Sequence, residues 1–332
     1  MFGYLRFALA FFVLISHVDV RFFGLNPGVI AVVIFYILAG HVVSHLWEDI
    51  LPDGPGRIRR FYRDRALRIF PLYGYVAVLT LLFLVVTGYA EPRFSLLKLV
   101  NNFLIVPLNF YMVIDSAILT TPHWCLIPPA WSLGAELQAY LLLPVAFLHK
   151  RLKLLMVAVS FCVYLLANLS IIDPDYFGYR LIAGVFFIFV VGSAIQAAKK
   201  SSKNGGLFDR IYPWAIWGGI ALLGLVFIQK GLFSTAYTKE TFIGLLTGIP
   251  VVYGMNRSRV KLPGNTLLGA LSYGMFLSHF LMVWGLDYTG YAEKAGIAYI
   301  PVITLGALAL SCLGVMLVEK RVDSVRKKIK RY

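Results

Sequence analysis

The stretch Ser95-Leu-Leu-Lys-Leu-Val-Asn-Asn-Phe-Leu-Ile-Val-Pro-Leu-Asn-Phe-Tyr-Met112 decides how often this chain crosses a membrane. It is apolar enough for a crossing helix, yet Asn101, Asn102, Pro107 and Asn109 interrupt it, as they would an interfacial or re-entrant segment. On either side of it, long apolar runs recur down the whole chain. They are drawn at about 4–20, 28–47, 69–89, 132–149, 152–170, 180–198, 211–228, 238–254, 264–286 and 297–318. Each is long enough to cross roughly 30 Å of hydrocarbon as a helix. The runs are continuously apolar rather than alternating, which argues against a transmembrane barrel.

Positive charge settles the ambiguous stretch, because loops rich in Lys and Arg stay on the cytoplasmic side. If 95–112 does not cross, Arg57–Arg68, Lys150–Lys153, Lys199–Arg210, Arg257–Lys261 and Lys320–Arg331 all share one side. Together with Arg6, that side then holds 24 of the 31 Lys and Arg residues. If the stretch did cross, the arginine cluster would oppose every later basic loop. The sequence therefore predicts an all-α, polytopic transmembrane bundle of about ten helices with both termini cytoplasmic. The segment 95–112 is expected to be re-entrant or interfacial.

Composition agrees with this reading. Of 332 residues, 59% are hydrophobic and 14% charged, with a mean hydropathy of +0.78, which excludes an ordinary soluble domain. The net charge of +15 does not indicate nucleic acid, since the basic residues sit between apolar runs. Arg6 and His17 lie inside the first run and no small-residue cleavage pattern follows, so that run is read as a retained helix. Cys125, Cys162 and Cys312 are too few and scattered for a disulfide framework or a thiolate metal site. One domain, 1–332, with a short basic tail at about 319–332, is the simplest organisation, and no inverted repeat is visible.

Ionisable groups buried in lipid are costly and by default mark function, the alternatives being snorkelling to the headgroups for Arg6 and an interhelical hydrogen bond for His17. Arg6 and His17 are eleven positions apart, nearly three turns, which places both on one helix face about 16 Å apart along the axis. His17 has the proton affinity to take a proton from a hydroxyl. Glu136, one turn into the fourth helix after Pro128-Pro129, is suited to orienting a histidine or binding a hydroxyl, although a helix start also favours an acid for electrostatic reasons. His279 is expected at a similar depth from the ninth helix, so three polar groups converge on one level. His41 and His45 have metal-compatible spacing, but no third ligand is evident, and no metal site is assigned. Arg65 and Arg68, one turn apart at the start of the third helix, have the forked geometry to clamp phosphates, beyond the lipid attraction of the surrounding cluster.

At these residues the chain resembles the acyltransferase-3 family of membrane O-acyltransferases. The resemblance runs from Leu5 to about Glu319 on ordered motifs. These are Leu5-Arg6 with His17; Gly28 through Gly40; Arg65-Ala-Leu-Arg-Ile-Phe-Pro71; Trp131-Ser-Leu-Gly-Ala-Glu136; and Ser272-Tyr-Gly-Met-Phe-Leu-Ser-His279. It implies transfer of an acyl group, usually acetyl, from cytoplasmic acyl-coenzyme A to lipopolysaccharide O-antigen or another surface or lipid-linked glycan. The bacterial inner membrane is the implied location. Acetyl-CoA enters as co-substrate, with no bound cofactor. Arg6 and His17 are the implied essential pair, and Arg65 and Arg68 contact the donor. His17 and Glu136 are the expected catalytic residues, supported by Arg6, His279, Ser272, Tyr273 and Trp131. Two departures stand out. Ala39-Gly40-His41 lacks the family's serine before the glycine and its aromatic after it, and Glu319-Lys-Arg321 lacks the proline that often follows the glutamate. No esterase-like soluble domain is expected. The rival class is a transporter or flippase of a lipid-linked glycan, with the same polar residues lining its path.

Overall fold

The computed structural model describes residues 1–200, 207–233, 235–292 and 296–331. Residues 201–206 of the basic stretch Lys199–Arg210 lie outside the described residues. The chain runs through α1 (Phe2–Ser16), α2 (Pro27–His45), α3 (Arg57–Thr87), α4 (Leu96–Leu104), α5 (Trp131–Leu148) and α6 (Lys150–Asn168). It continues through α7 (Ile182–Lys200), α8 (Leu207–Lys230), α9 (Thr238–Arg257), α10 (Asn265–Tyr288), α11 (Tyr299–Gly314) and α12 (Lys320–Arg331). Among the described residues there is no strand, only a bridge between Phe22 and Leu25. Eight of the helices, with their short continuations, are long and apolar enough to cross a membrane. The other two expected crossings are α1, apolar but 15 residues long, and α9, which carries Lys239, Glu240 and Arg257.

Local chemistry explains several helix boundaries. Asn26 caps α2, its Oδ1 accepting from the backbone N–H groups of Gly28 (2.9 Å) and Val29 (3.4 Å), and Pro27 opens the first turn. The Asn26 N–H in turn donates to the buried Glu240 carboxylate on α9 (3.0 Å). The first helix ends at Ser16 rather than near residue 20, because the backbone leaves the helical region at Asp19, whose φ is +59°. His17 consequently sits in the closing turn, its N–H donating to Leu14 O (3.1 Å). By contrast, α3 begins at Arg57, twelve residues before the expected start of its apolar span. Hydropathy locates the part of a helix that meets lipid, whereas the hydrogen-bonded coil runs on into water through the arginines.

The stretch 95–112 does not cross. Ser95 caps α4 through the Lys98 N–H (3.2 Å), and Ile105, at φ +66°, ends the helix after nine residues, before a 3₁₀ turn over Val106–Phe110. Nine residues rise about 14 Å, less than half the hydrocarbon thickness. Its apolar side chains, Leu96, Leu97 and Leu104 among them, face outward, while Asn101 and Asn102 are buried. Asn102 is a knot: its Nδ2 donates to Lys98 O and Ser116 O (both 2.8 Å), its Oδ1 accepts from Leu126 N–H (2.8 Å), and its carbonyl accepts from the Tyr73 hydroxyl (2.7 Å).

The chain forms two compact units, each assembled from separate stretches. The first holds Asp19–Phe61 and Ala135–Leu262. Within it, α2 is buried along most of its length between α7 and α9. The α2–α7 approach depends on two glycines: a Cβ at Gly40 would fall on the Phe189 carbonyl, and one at Gly192 on the Ile37 carbonyl. The second unit holds Phe2–Val18, Tyr62–Gly134 and Pro263–Tyr332. Within it, α10 packs between α1 and α11. Asn265 Oδ1 accepts from Gly3 N–H (2.8 Å), Ser278 Oγ donates to Gly274 O and Ala307 O, and Ser311 Oγ donates to Leu271 O.

Two outcomes are expected. Gly192→Leu should lower the detergent melting temperature by an amount equivalent to at least about 1–3 kcal/mol of overpacking, whereas Gly218→Leu, at a glycine with open space around it, should leave it nearly unchanged. Asn102→Leu strands buried donors and acceptors worth about 1–3 kcal/mol each. It should make the 105–127 segment sensitive to limited proteolysis before the remaining chain is cut.

Candidate active site

In the second unit, two residues 262 positions apart meet edge to edge. His17 Nδ1 and His279 Nε2 are 3.1 Å apart, and the ring planes lie 18° apart with centroids separated by 5.2 Å. His279 is fully buried on α10, and its Nδ1 lies 3.3 Å from Met275 O. A carbonyl only accepts, so His279 Nδ1 carries the proton and its Nε2 presents a lone pair. His17 Nδ1 then donates to that lone pair, and His17 Nε2 is left as the basic nitrogen. The pair is walled by aromatic rings: Phe280 lies 4.8 Å from His17 and 5.1 Å from His279, and Trp124 and Trp284 pack on Phe280. Phe280 thus covers one side of the pair, with His279 buried and His17 half-buried.

Glu136 belongs to the first unit, half-buried on α5, and accepts a hydrogen bond from the Tyr140 hydroxyl one turn on. Glu136 and Arg180 both lie within electrostatic reach of the buried Tyr36 hydroxyl, which donates to Tyr179 O (3.2 Å). Arg180 is held by Asp175 (2.9 Å) in a π-helical turn, Tyr176–Arg180, and lies over the Tyr179 ring. Arg180 is inconspicuous in the sequence, because a single charge at the edge of an apolar run looks like a boundary. The π-turn that tucks it inward has no sequence signature.

The two arginines of α3 are already engaged. Arg65 donates through Nε (3.1 Å) and Nη2 to Asp64, a carboxylate with 0% exposure. Arg68 pairs with Glu319 (2.6 Å) and lies over the Tyr273 ring at 5.3 Å. Tyr273 donates to Ile69 O (3.1 Å), which ties α10 to α3 beside Arg68. Asp64 also takes Arg326 Nε (3.2 Å) and Lys330 Nζ (3.5 Å) from α12. Asp64, Arg326 and Lys330 are equally inconspicuous in the sequence. One acid among six arginines reads as incidental, and a basic tail reads as a topology signal. Only the 262-residue separation closed by the fold joins them.

The remaining candidates are placed as follows. Arg6 is half-buried on α1. Ser272 Oγ donates back to Gly269 O (2.9 Å) and is buried in α10. Trp131 opens α5, and its carbonyl accepts from Asn109 Nδ2 (3.1 Å). His41 and His45 turn to different partners, Asn256 Oδ1 (3.0 Å) and Asp49 (2.6 Å). Of the groups expected on one level, the second unit therefore brings His17 to His279, while Glu136 has its own polar cluster in the first.

Comparison with known proteins places the chain in a family. A curated protein of Aquifex aeolicus (strain VF5), described only as uncharacterized, is 44% identical over 214 residues, which are 64% of this chain and 95% of that one. Protein 2 in the picA locus of Rhizobium radiobacter is 28% identical over 148 residues, 40% of this chain and 74% of that one. No solved structure matches. The model of the acyltransferase-3 family, described as an acyltransferase domain, matches residues 2–316. With nearly its whole length matched and its apolar helices in place, the chain belongs to the acyltransferase-3 family and is an integral membrane acyltransferase.

Proposed function

We propose that this acyltransferase moves an acyl group, acetyl in the usual case, from acyl-coenzyme A to a hydroxyl of a surface or lipid-linked glycan. The observation that carries the proposal is the His17–His279 pair. Its hydrogen bonding fixes a histidine with a basic Nε2 among aromatic walls, as deprotonation of a weakly acidic hydroxyl requires. The acceptor O–H proton passes to His17 Nε2 while the oxygen attacks the thioester carbonyl. The C–S bond breaks, and the proton returns to the leaving thiolate, giving an O-acyl ester and free coenzyme A. His279 takes the orienting position on Nδ1 and steadies the imidazolium as it forms. Arg65 and Arg68 serve the donor phosphates, with Tyr273 holding Arg68. Glu136 serves an acceptor hydroxyl in the first unit beside Tyr140. The excess of basic loops on one side supports a plasma-membrane protein of a bacterium with its donor site and both termini in the cytoplasm.

Purified protein in detergent, given acetyl-CoA and a membrane glycan extract, should release free coenzyme A. His17→Ala should lower kcat by about 10²–10⁴-fold without changing the melting profile. Equal rates in wild type and a folded His17→Ala variant would remove His17 from the reaction. Arg68→Gln should act differently, raising the KM for acetyl-CoA about tenfold with kcat little changed, because it loses a charge-assisted contact that ground state and transition state share.

A further inference from the structure

The donor site assigned to α3 has an electrostatic shortfall. Arg65 spends its charge on the fully buried Asp64, and Arg68 is paired with Glu319. Two cations facing two carboxylates offer little net attraction to coenzyme A, which carries a diphosphate and a phosphomonoester, the latter alone about −1.5 to −2. The terminal helix α12 alters this balance. It runs antiparallel to the first turns of α3, with Glu319 beside Arg68 and Arg326 and Lys330 beside Asp64. Four cations then face three carboxylates, Asp64, Glu319 and Asp323, which leaves an excess of one positive charge. Asp323, 55% exposed, takes the outer side of Arg326 (2.9 Å). The Arg68 and Lys330 side chains are 25% and 27% exposed, so both present a face to solvent while their neighbours are held from behind. A planar fork and a mobile ammonium on facing helices are complementary tools for gripping phosphate oxygens.

We propose that Arg326 and Lys330 of α12 complete the phosphate-binding site for the acyl-coenzyme A donor, facing Arg68 across an antiparallel helix pair anchored on Asp64. This rests on the assignment of Arg65 and Arg68 to the donor. Asp64 anchors the helix pair and competes with the ligand for the same cations.

Binding of coenzyme A to the full chain in detergent, measured by calorimetry, tests the proposal. Arg326→Gln combined with Lys330→Gln should weaken coenzyme A at least about tenfold. Lys327→Gln combined with Lys328→Gln removes equal charge from exposed positions of the same helix and should change the affinity by no more than about twofold. Asp64→Asn frees the cations without removing any, and should bind coenzyme A at least as tightly as wild type. If the Arg326 and Lys330 variant binds like wild type while Arg68→Gln is weakened, α12 is not part of the site and the proposal falls. If Arg68→Gln also binds like wild type, the donor assignment itself falls. Equal weakening by both lysine and arginine pairs would reduce the effect to general attraction. Loss of binding in Asp64→Asn as well as in the Arg326 and Lys330 variant would make α12 only a structural brace. Either result overturns the proposal.

Discussion

In hydrocarbon, a polar group without a partner costs several kcal/mol, and no water is at hand to supply one. Several polar side chains carried into the bundle find their match on another part of the chain, and these matches fix which elements lie together. Asn102 holds the re-entrant segment by bonding forward to Leu126, onward to Ser116 and back to Lys98. Glu240 fastens the start of α2 to α9 by accepting the Asn26 N–H. His279 has its inner nitrogen on Met275 O and its outer one on His17, so a group that would be a liability alone becomes the support of a basic nitrogen. The same requirement that assembles the bundle thus prepares its chemistry.

Ion pairing in the second unit follows a related rule. A carboxylate as enclosed as Asp64 is tolerated only with cations around it, and three of them converge there from α3 and α12. The helix pair that results stands where the apolar part of α3 gives way to its arginines. The exposed edges of Arg68 and Lys330 belong to the same assembly as the buried ends of Arg65 and Arg326. Charge that would scatter two free segments is collected by one buried acid.

Much of this was legible before any coordinates. Continuous apolar runs locate lipid-facing helices because the solvent imposes a length and a composition, and the distribution of Lys and Arg left 95–112 uncrossed, as its nine-residue helix and polar inner face agree. Helix ends were less legible. Hydropathy falls at Arg68, but the α3 coil continues to Arg57, while α1 stops early at a left-handed residue that composition does not reveal. At the site, His17 and His279 stood out because a histidine amid apolar residues is conspicuous. Asp64 and Arg180 did not, since each lies beside other charges or at the edge of a run. Their partners, Arg326 and Tyr36, are distant in sequence, and a single chain carries no trace of such pairing.

The length of α3 has a further mechanical consequence. At 31 residues it is about 46 Å long, well beyond the hydrocarbon thickness, and it is one hydrogen-bonded rod carrying two different attachments. Arg68 meets Glu319 at one level, and five residues later Tyr73 grips the carbonyl of Asn102. Between them sits Pro71, where the ladder loses a donor and stiffness is lowest. A force that shifts α3 at Arg68 is therefore delivered, through a single softened joint, to the 95–112 segment. Both attachments, Arg68 with Glu319 and Tyr73 with Asn102, lie within one compact unit, so they share one strain rather than moving independently.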